Sequence, residues 1–188
     1  TVYLGEGDGR FFDADAGLTV VSNSSSSVGD FNNDGNLDLV ITGGDENNDE
    51  TATVYLGNGD GGFSPSSAML TGVSFGSSSV GDFDNDGNLD LVLTGEDEND
   101  DETATVYLGN GDGGFSPSSA MLTGVRFGSS SVGDFDNDGN LDLVLTGSDE
   151  TNPPDADETA TVYLGDGFGG FTEASTGLTR VTLSSSSV

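Results

Sequence analysis

The pentapeptide Thr-Val-Tyr-Leu-Gly begins at residues 1, 53, 105 and 161, and the sequence around it recurs with it. The steps are 52, 52 and 56 residues, the last lengthened around Asn152-Pro153-Pro154-Asp155. From Thr51 to Gly95 the next copy differs only at Ser74, which becomes Arg126. A period of this length means one supersecondary unit per repeat, and such a unit buries its apolar faces only against its neighbours.

Four strands are expected in each period. The first is Ser77-Ser-Ser-Val80-Gly-Asp-Phe83, and the second is the apolar run Leu89–Thr94. The third is Thr103–Leu108, rich in strand formers. After the glycine-rich turn 109–114, a fourth runs from Phe115 through Ala120 and Leu122 to Val125 and Phe127. Nothing shows a 3.6-residue period, and 31 glycines argue against helix. Four short strands about every 50 residues are the pattern of a propeller blade. The expected fold is an all-β β-propeller of 52-residue four-stranded blades, incomplete at both ends. Residues 1–23 supply the third and fourth strands of a partial blade. Residues 24–75, 76–127 and 128–183 are blades, and 184–188 the first strand of another. Val80, Phe83, Leu89, Leu91 and Leu93 are expected to pack on a neighbour's counterparts of Val106, Leu108 or Leu122. The small Ser/Gly first strand suits the crowded position near the axis. Joined, the two ends of the chain would lack one loop between first and second strands and one second strand, which are expected from further sequence or from another subunit.

Between first and second strands lies Asp30-Phe-Asn-Asn-Asp-Gly-Asn-Leu-Asp38, repeated at 82–90 and 134–142. Oxygen-bearing side chains fall at positions 1, 3, 5 and 9: Asp30, Asn32, Asp34 and Asp38; Asp82, Asp84, Asp86 and Asp90; Asp134, Asp136, Asp138 and Asp142. A glycine at position 6 permits a sharp turn, and the carbonyls of Asn36, Asn88 and Asn140 at position 7 add an oxygen. Hard cations take six to eight such oxygens from a loop that curls around them. An EF-hand would need Glu at position 12 and flanking helices, but here Ile41, Leu93 and Leu145 stand inside a strand. The expected ligand is Ca²⁺, one ion per complete loop and about three in all. Mg²⁺ fits less well because it demands a stiff octahedron. Each loop is expected to act by itself.

Composition narrows the function. Thirty-four acidic residues stand against three arginines, Arg10, Arg126 and Arg180, with no lysine, histidine or cysteine. No basic surface is available for nucleic acid, and an anionic membrane would repel the chain. The acids are clustered: eleven lie in the cation loops and fifteen in the runs 45–50, 96–102 and 149–158. Those runs are expected to be solvated loops rather than further cation sites. An acid-rich, lysine-free surface suits high salt, so a halophilic or marine prokaryotic source is expected. No apolar run reaches the roughly 20 residues of a membrane span. With no initiator Met and a start inside a repeat, the chain reads as part of a longer protein.

The period resembles the FG-GAP repeat of integrin α-subunit propellers and its bacterial and archaeal relatives, the VCBS repeats. The residues that carry the resemblance are Phe75-Gly76, Phe127-Gly128, the Val-Gly-Asp-Phe segments, the loops, Leu-Val-Leu-Thr-Gly and Thr-Val-Tyr-Leu-Gly. The Gly-Ala-Pro segment of the family is replaced by Thr-Gly and an acidic run. The resemblance implies Ca²⁺ between the first and second strands of each blade. It also implies propellers of commonly seven blades, against three loops here.

Two functions follow as expectations. The first is a calcium-stabilised extracellular or cell-surface structural or adhesive module, with a protein or glycan partner or self-association. The second is a carbohydrate- or protein-binding propeller, with Tyr3, Tyr55, Tyr107 and Tyr163 as stacking platforms or, alternatively, as local packing residues. An enzyme is not expected, because the carboxylates repeat regularly and His, Cys and Lys are missing.

Overall fold

The computed structural model describes residues 1–149 and 157–175, and the chain is all-β there, in antiparallel sheets. The strand expected at Ser184–Val188, the insertion around Pro153 and most of the acidic run 149–158 lie outside these residues. No helix among the described residues is long and apolar enough to cross a membrane.

Two short strands, β1 (Tyr3–Gly5) and β2 (Phe11–Asp13), form a two-stranded sheet. Three four-stranded meanders follow. The first blade holds β3 (Ser22–Gly29), β4 (Asp38–Gly44), β5 (Glu50–Gly57) and β6 (Phe63–Pro65). The second holds β7 (Ser78–Gly81), β8 (Asp90–Glu96), β9 (Glu102–Gly109) and β10 (Phe115–Pro117). The third holds β11 (Arg126–Gly133), β12 (Asp142–Asp149), β13 (Asp157–Gly165) and β14 (Phe171–Glu173). Each meander pairs its strands in chain order, so these are four-stranded propeller blades in an unclosed array.

The core lies between blades. Val40, Val54 and Val73 of the first blade meet Leu91, Leu93 and Tyr107 of the second. Val92, Val106 and Val125 of the second meet Leu143, Leu145 and Tyr163 of the third. Strand alternation explains the division, since successive side chains on β8 point to opposite faces. Phe83 departs from the sequence expectation, because it packs with Val92 and Val106 rather than with Leu91. It reaches the next blade, where Phe171 meets it edge to face at 5.6 Å. Phe31 repeats the contact with Phe115 at 5.6 Å.

The fourth strands are shorter than expected. β10 ends at Pro117, which has no N–H to extend a ladder. The chain then leaves the sheet, and its Val125 is buried between blades. Tyrosine secures this crossing segment. The Tyr107 hydroxyl accepts the Thr71 N–H at 2.9 Å, and Tyr163 accepts that of Thr123 at 2.9 Å.

First strands line up from blade to blade through hydroxyls. Ser27 and Ser78 are 2.8 Å apart, and Ser79 and Ser130 2.7 Å. Small residues are required here by proximity: a Cβ on Gly81 would stand 2.8 Å from Leu141 of the following blade. Between the first blade and residues 1–21, Leu39 and Ile41 line a cavity of about 600 Å³ together with Val2 and Leu18.

Candidate metal centre

Each nine-residue loop closes the hairpin between a blade's first and second strands, and its shape is written in its own side chains. In the second blade, Asp82 accepts the Asp86 N–H on Oδ1 at 3.1 Å and the Gly87 N–H on Oδ2 at 3.0 Å. Asp84 also accepts the Asp86 N–H, and Asp86 accepts the Asn88 N–H at 2.8 Å. The loops at Asp30 and Asp134 repeat these bonds. Gly87 has φ +90°, as its position requires.

This curl brings the odd-numbered side chains together. Carboxylate oxygens of Asp82, Asp84 and Asp86 all lie within 4.8 Å of one another, as do those of Asp134, Asp136 and Asp138. In the first loop position 3 is Asn32, whose amide donates to Asp34 Oδ2 at 3.1 Å. Burial holds Asp84 above the usual carboxylate range, and the charges of Asp86 and Asp82 add to the rise. Asp34 is held below it, chiefly by the Asn36 N–H.

The ninth residue stands apart from the convergent groups. Asp38, Asp90 and Asp142 are completely buried. Asp90 accepts the Phe83 N–H on Oδ2 at 2.7 Å and the Gly109 N–H on Oδ1 at 2.8 Å. Asp38 does the same with Phe31 and Gly57, and Asp142 with Phe135 and Gly165. Burial pushes Asp90 up to about 6, those two N–H groups oppose the rise, and the charges of Asp84 and Asp82 reinforce it. This residue ties the loop to the third strand. Each of its oxygens keeps a lone pair beyond the one that takes an N–H.

Hard oxygen donors in a preformed curl fit a hard divalent cation. Asp82, Asp84, Asp86, Asp134, Asp136 and Asp138 would hold it, with Asn88 and Asn140 at position 7.

Position 4 escapes the ligand pattern and has its own role. Asn33, Asn85 and Asn137 have φ of +56°, +57° and +61°. Asparagine enters this left-handed region more readily than most side chains, and its recurrence in all three loops was the available signal. The Asn33 amide donates to Asn88 Oδ1 at 2.9 Å, and Asn85 to Asn140 at 3.1 Å. The loops are therefore in contact from blade to blade.

Among the tyrosines, Tyr55, Tyr107 and Tyr163 are buried and only Tyr3 is exposed. Stacking of sugars on the three buried rings is ruled out by that burial. The run 97–101 forms a turn of its own, in which Asp97 accepts the Asn99 N–H at 2.9 Å.

No curated protein sequence matches the chain significantly. The sequence model of the FG-GAP-like repeat matches residues 30–93 and again 82–145. Each match opens on a cation loop and ends inside the apolar second strand of the next blade. Together they span more than half of the chain, and the protein belongs to the FG-GAP-like repeat family.

Proposed function

We propose that this chain is a calcium-binding structural module of an extracellular or cell-surface protein, holding about three ions, one per loop. The observation that carries the reading is the convergence of three carboxylates within 4.8 Å in each of two loops. The proposed ligands are Asp30, Asn32, Asp34, Asn36 and Asp38 in the first loop, and Asp82, Asp84, Asp86, Asn88 and Asp90 in the second. In the third they are Asp134, Asp136, Asp138, Asn140 and Asp142. Asn36, Asn88 and Asn140 contribute through their backbone carbonyls. A cation held only by the folded loop stabilises it by about 2.7 kcal/mol at 100 times Kd.

Adhesion, with a protein or glycan at the cell surface or with further copies of the repeat, is the role that fits. The cavity that Leu39 and Ile41 share with Val2 and Leu18, beside a sheet of only two strands, supports completion by further repeat sequence or another copy. A chain of 34 acidic residues against three arginines supports a saline setting. Catalysis is not part of the proposal, because the carboxylate groups recur once per blade rather than forming one centre. Native mass spectrometry with added calcium tests the reading. Three bound ions are expected, and no calcium retained at millimolar concentration would overturn it.

A further inference from the structure

The contacts between loops carry an inference that rests on the cation reading and extends it to how the sites fill. In the second loop, the side chain of Asn88 faces two ways. Its amide donates to Asp86 Oδ2 of its own loop at 2.8 Å, while its Oδ1 accepts Asn33 of the preceding loop at 2.9 Å. The third loop repeats this with Asn140, which donates to Asp138 at 2.9 Å and accepts Asn85 at 3.1 Å. Asn33 sits between Asn32 and Asp34, and Asn85 between Asp84 and Asp86. A relay of two hydrogen bonds thus joins the central carboxylate of one loop to the ligand-bearing backbone of the loop before it.

A second set of bonds braces the same junctions. The Gly113 N–H, in the turn after β9, donates to the Phe31 carbonyl of the first loop at 2.9 Å. Gly169 donates likewise to Phe83 at 3.0 Å. Neighbouring loops are anchored on a shared frame, and movement of one displaces the donors and acceptors of the other.

We infer that the cation sites of adjacent blades are coupled positively through Asn33–Asn88 and Asn85–Asn140. Closing the second loop around an ion fixes Asn88, by its backbone and by the Asp86 bond. A fixed Asn88 holds Asn33, and the first loop then has less freedom to lose when it binds. Direct repulsion between bound ions works in the opposite sense, but it is screened within about 3 Å at molar salt. The hydrogen-bond relay survives that screening.

The test reads each loop separately in the whole chain, by following the Gly35, Gly87 and Gly139 amides in an NMR titration with calcium alone, in 1 M NaCl. Asp86→Asn weakens the second site. The coupling predicts that it also lowers affinity at the first and third loops by about fivefold. In the Asn33→Gly/Asn85→Gly background, where glycine accepts the positive φ, the same substitution is expected to affect the second loop alone. Equal first- and third-loop affinities with and without Asp86→Asn, in an otherwise native chain that binds three ions, would overturn the coupling and leave the cation reading intact. Absence of any calcium-dependent shift in the native chain would overturn both.

Discussion

The hydroxyl of Tyr107 accepts the backbone N–H of Thr71 at 2.9 Å, joining the third strand of one blade to the segment leaving the previous blade. Tyr163 and Thr123 repeat the bond at 2.9 Å, and Tyr55 makes it with Thr19 at 3.1 Å. The once-per-repeat tyrosine is therefore a fastener between blades.

Tyr107→Phe keeps the ring and removes the acceptor, leaving the Thr71 N–H without it. The expected cost is about 1–3 kcal/mol, or a Tm lowered by roughly 2–4 °C per kcal/mol in a chain of this length. Thermal denaturation in saturating calcium measures it, and calcium stoichiometry is expected not to change. An unaltered Tm would mean that the bond contributes nothing.

The ninth and fifth loop residues are expected to separate experimentally. Asp142 takes two buried backbone N–H groups, so Asp142→Asn leaves one of them without an oxygen. A loss of about 1.5–3 kcal/mol follows even in chelator, and calcium adds to it because Asp142 is also a proposed ligand. Asp138 is exposed, and Asp138→Asn is expected to lower stability only when calcium is present. Denaturant titrations of both variants, in calcium and in chelator, supply the comparison.

Asp90 gives the cation-free protein a characteristic pH dependence. Its folded pKa, raised from 3.8 to about 6, lies above the unfolded value. The folded state then binds more protons than the unfolded state across that window. Stability contributed by this group is present at about pH 4 and is lost as pH rises through about 6, by roughly 3 kcal/mol at most. The difference in stability between the native chain and Asp90→Asn, followed from pH 4 to 7 in chelator, isolates the effect. Saturating calcium is expected to flatten it, and a flat difference in chelator would contradict it.

Arg126 replaces the Ser74 of the previous copy, and its neighbourhood explains the exchange. Glu96 stands opposite Glu102 in the β8–β9 ladder, where the first blade has Gly44 opposite Glu50. Arg126 is bonded to Glu96, and its Nε lies 3.3 Å from Glu102. Arg126→Ser alone leaves two largely buried carboxylates facing each other and is expected to cost about 3 kcal/mol. Glu96→Gly/Arg126→Ser rebuilds the Gly44/Glu50/Ser74 arrangement and is expected to recover most of that loss. Equal stability of the single and double variants in urea would refute the pairing.

Much of this was legible in the sequence because period and alternation are local signals. The 52-residue step located the blades, and alternation placed Leu91 and Leu93 on one face and Val92 on the other. What could not be read depends on the neighbouring blade. Phe83 sits at the loop entrance, past the alternating stretch, so only the position of Phe171 decides its face. The fourth strand was drawn too long because Ala120, Leu122 and Val125 look like strand residues. They are apolar because the crossing segment packs against the next blade. The ligand pattern at odd positions hid Asn33 and Asn85, whose bonds span 55 residues.

Thermal denaturation of the whole chain across a calcium titration, with a metal count at saturation, tests the central claim most directly. Three ions bound and a Tm that climbs with calcium and collapses under chelation are expected, with about 2.7 kcal/mol gained per site at 100 times Kd. A Tm indifferent to both calcium and chelator would contradict the account.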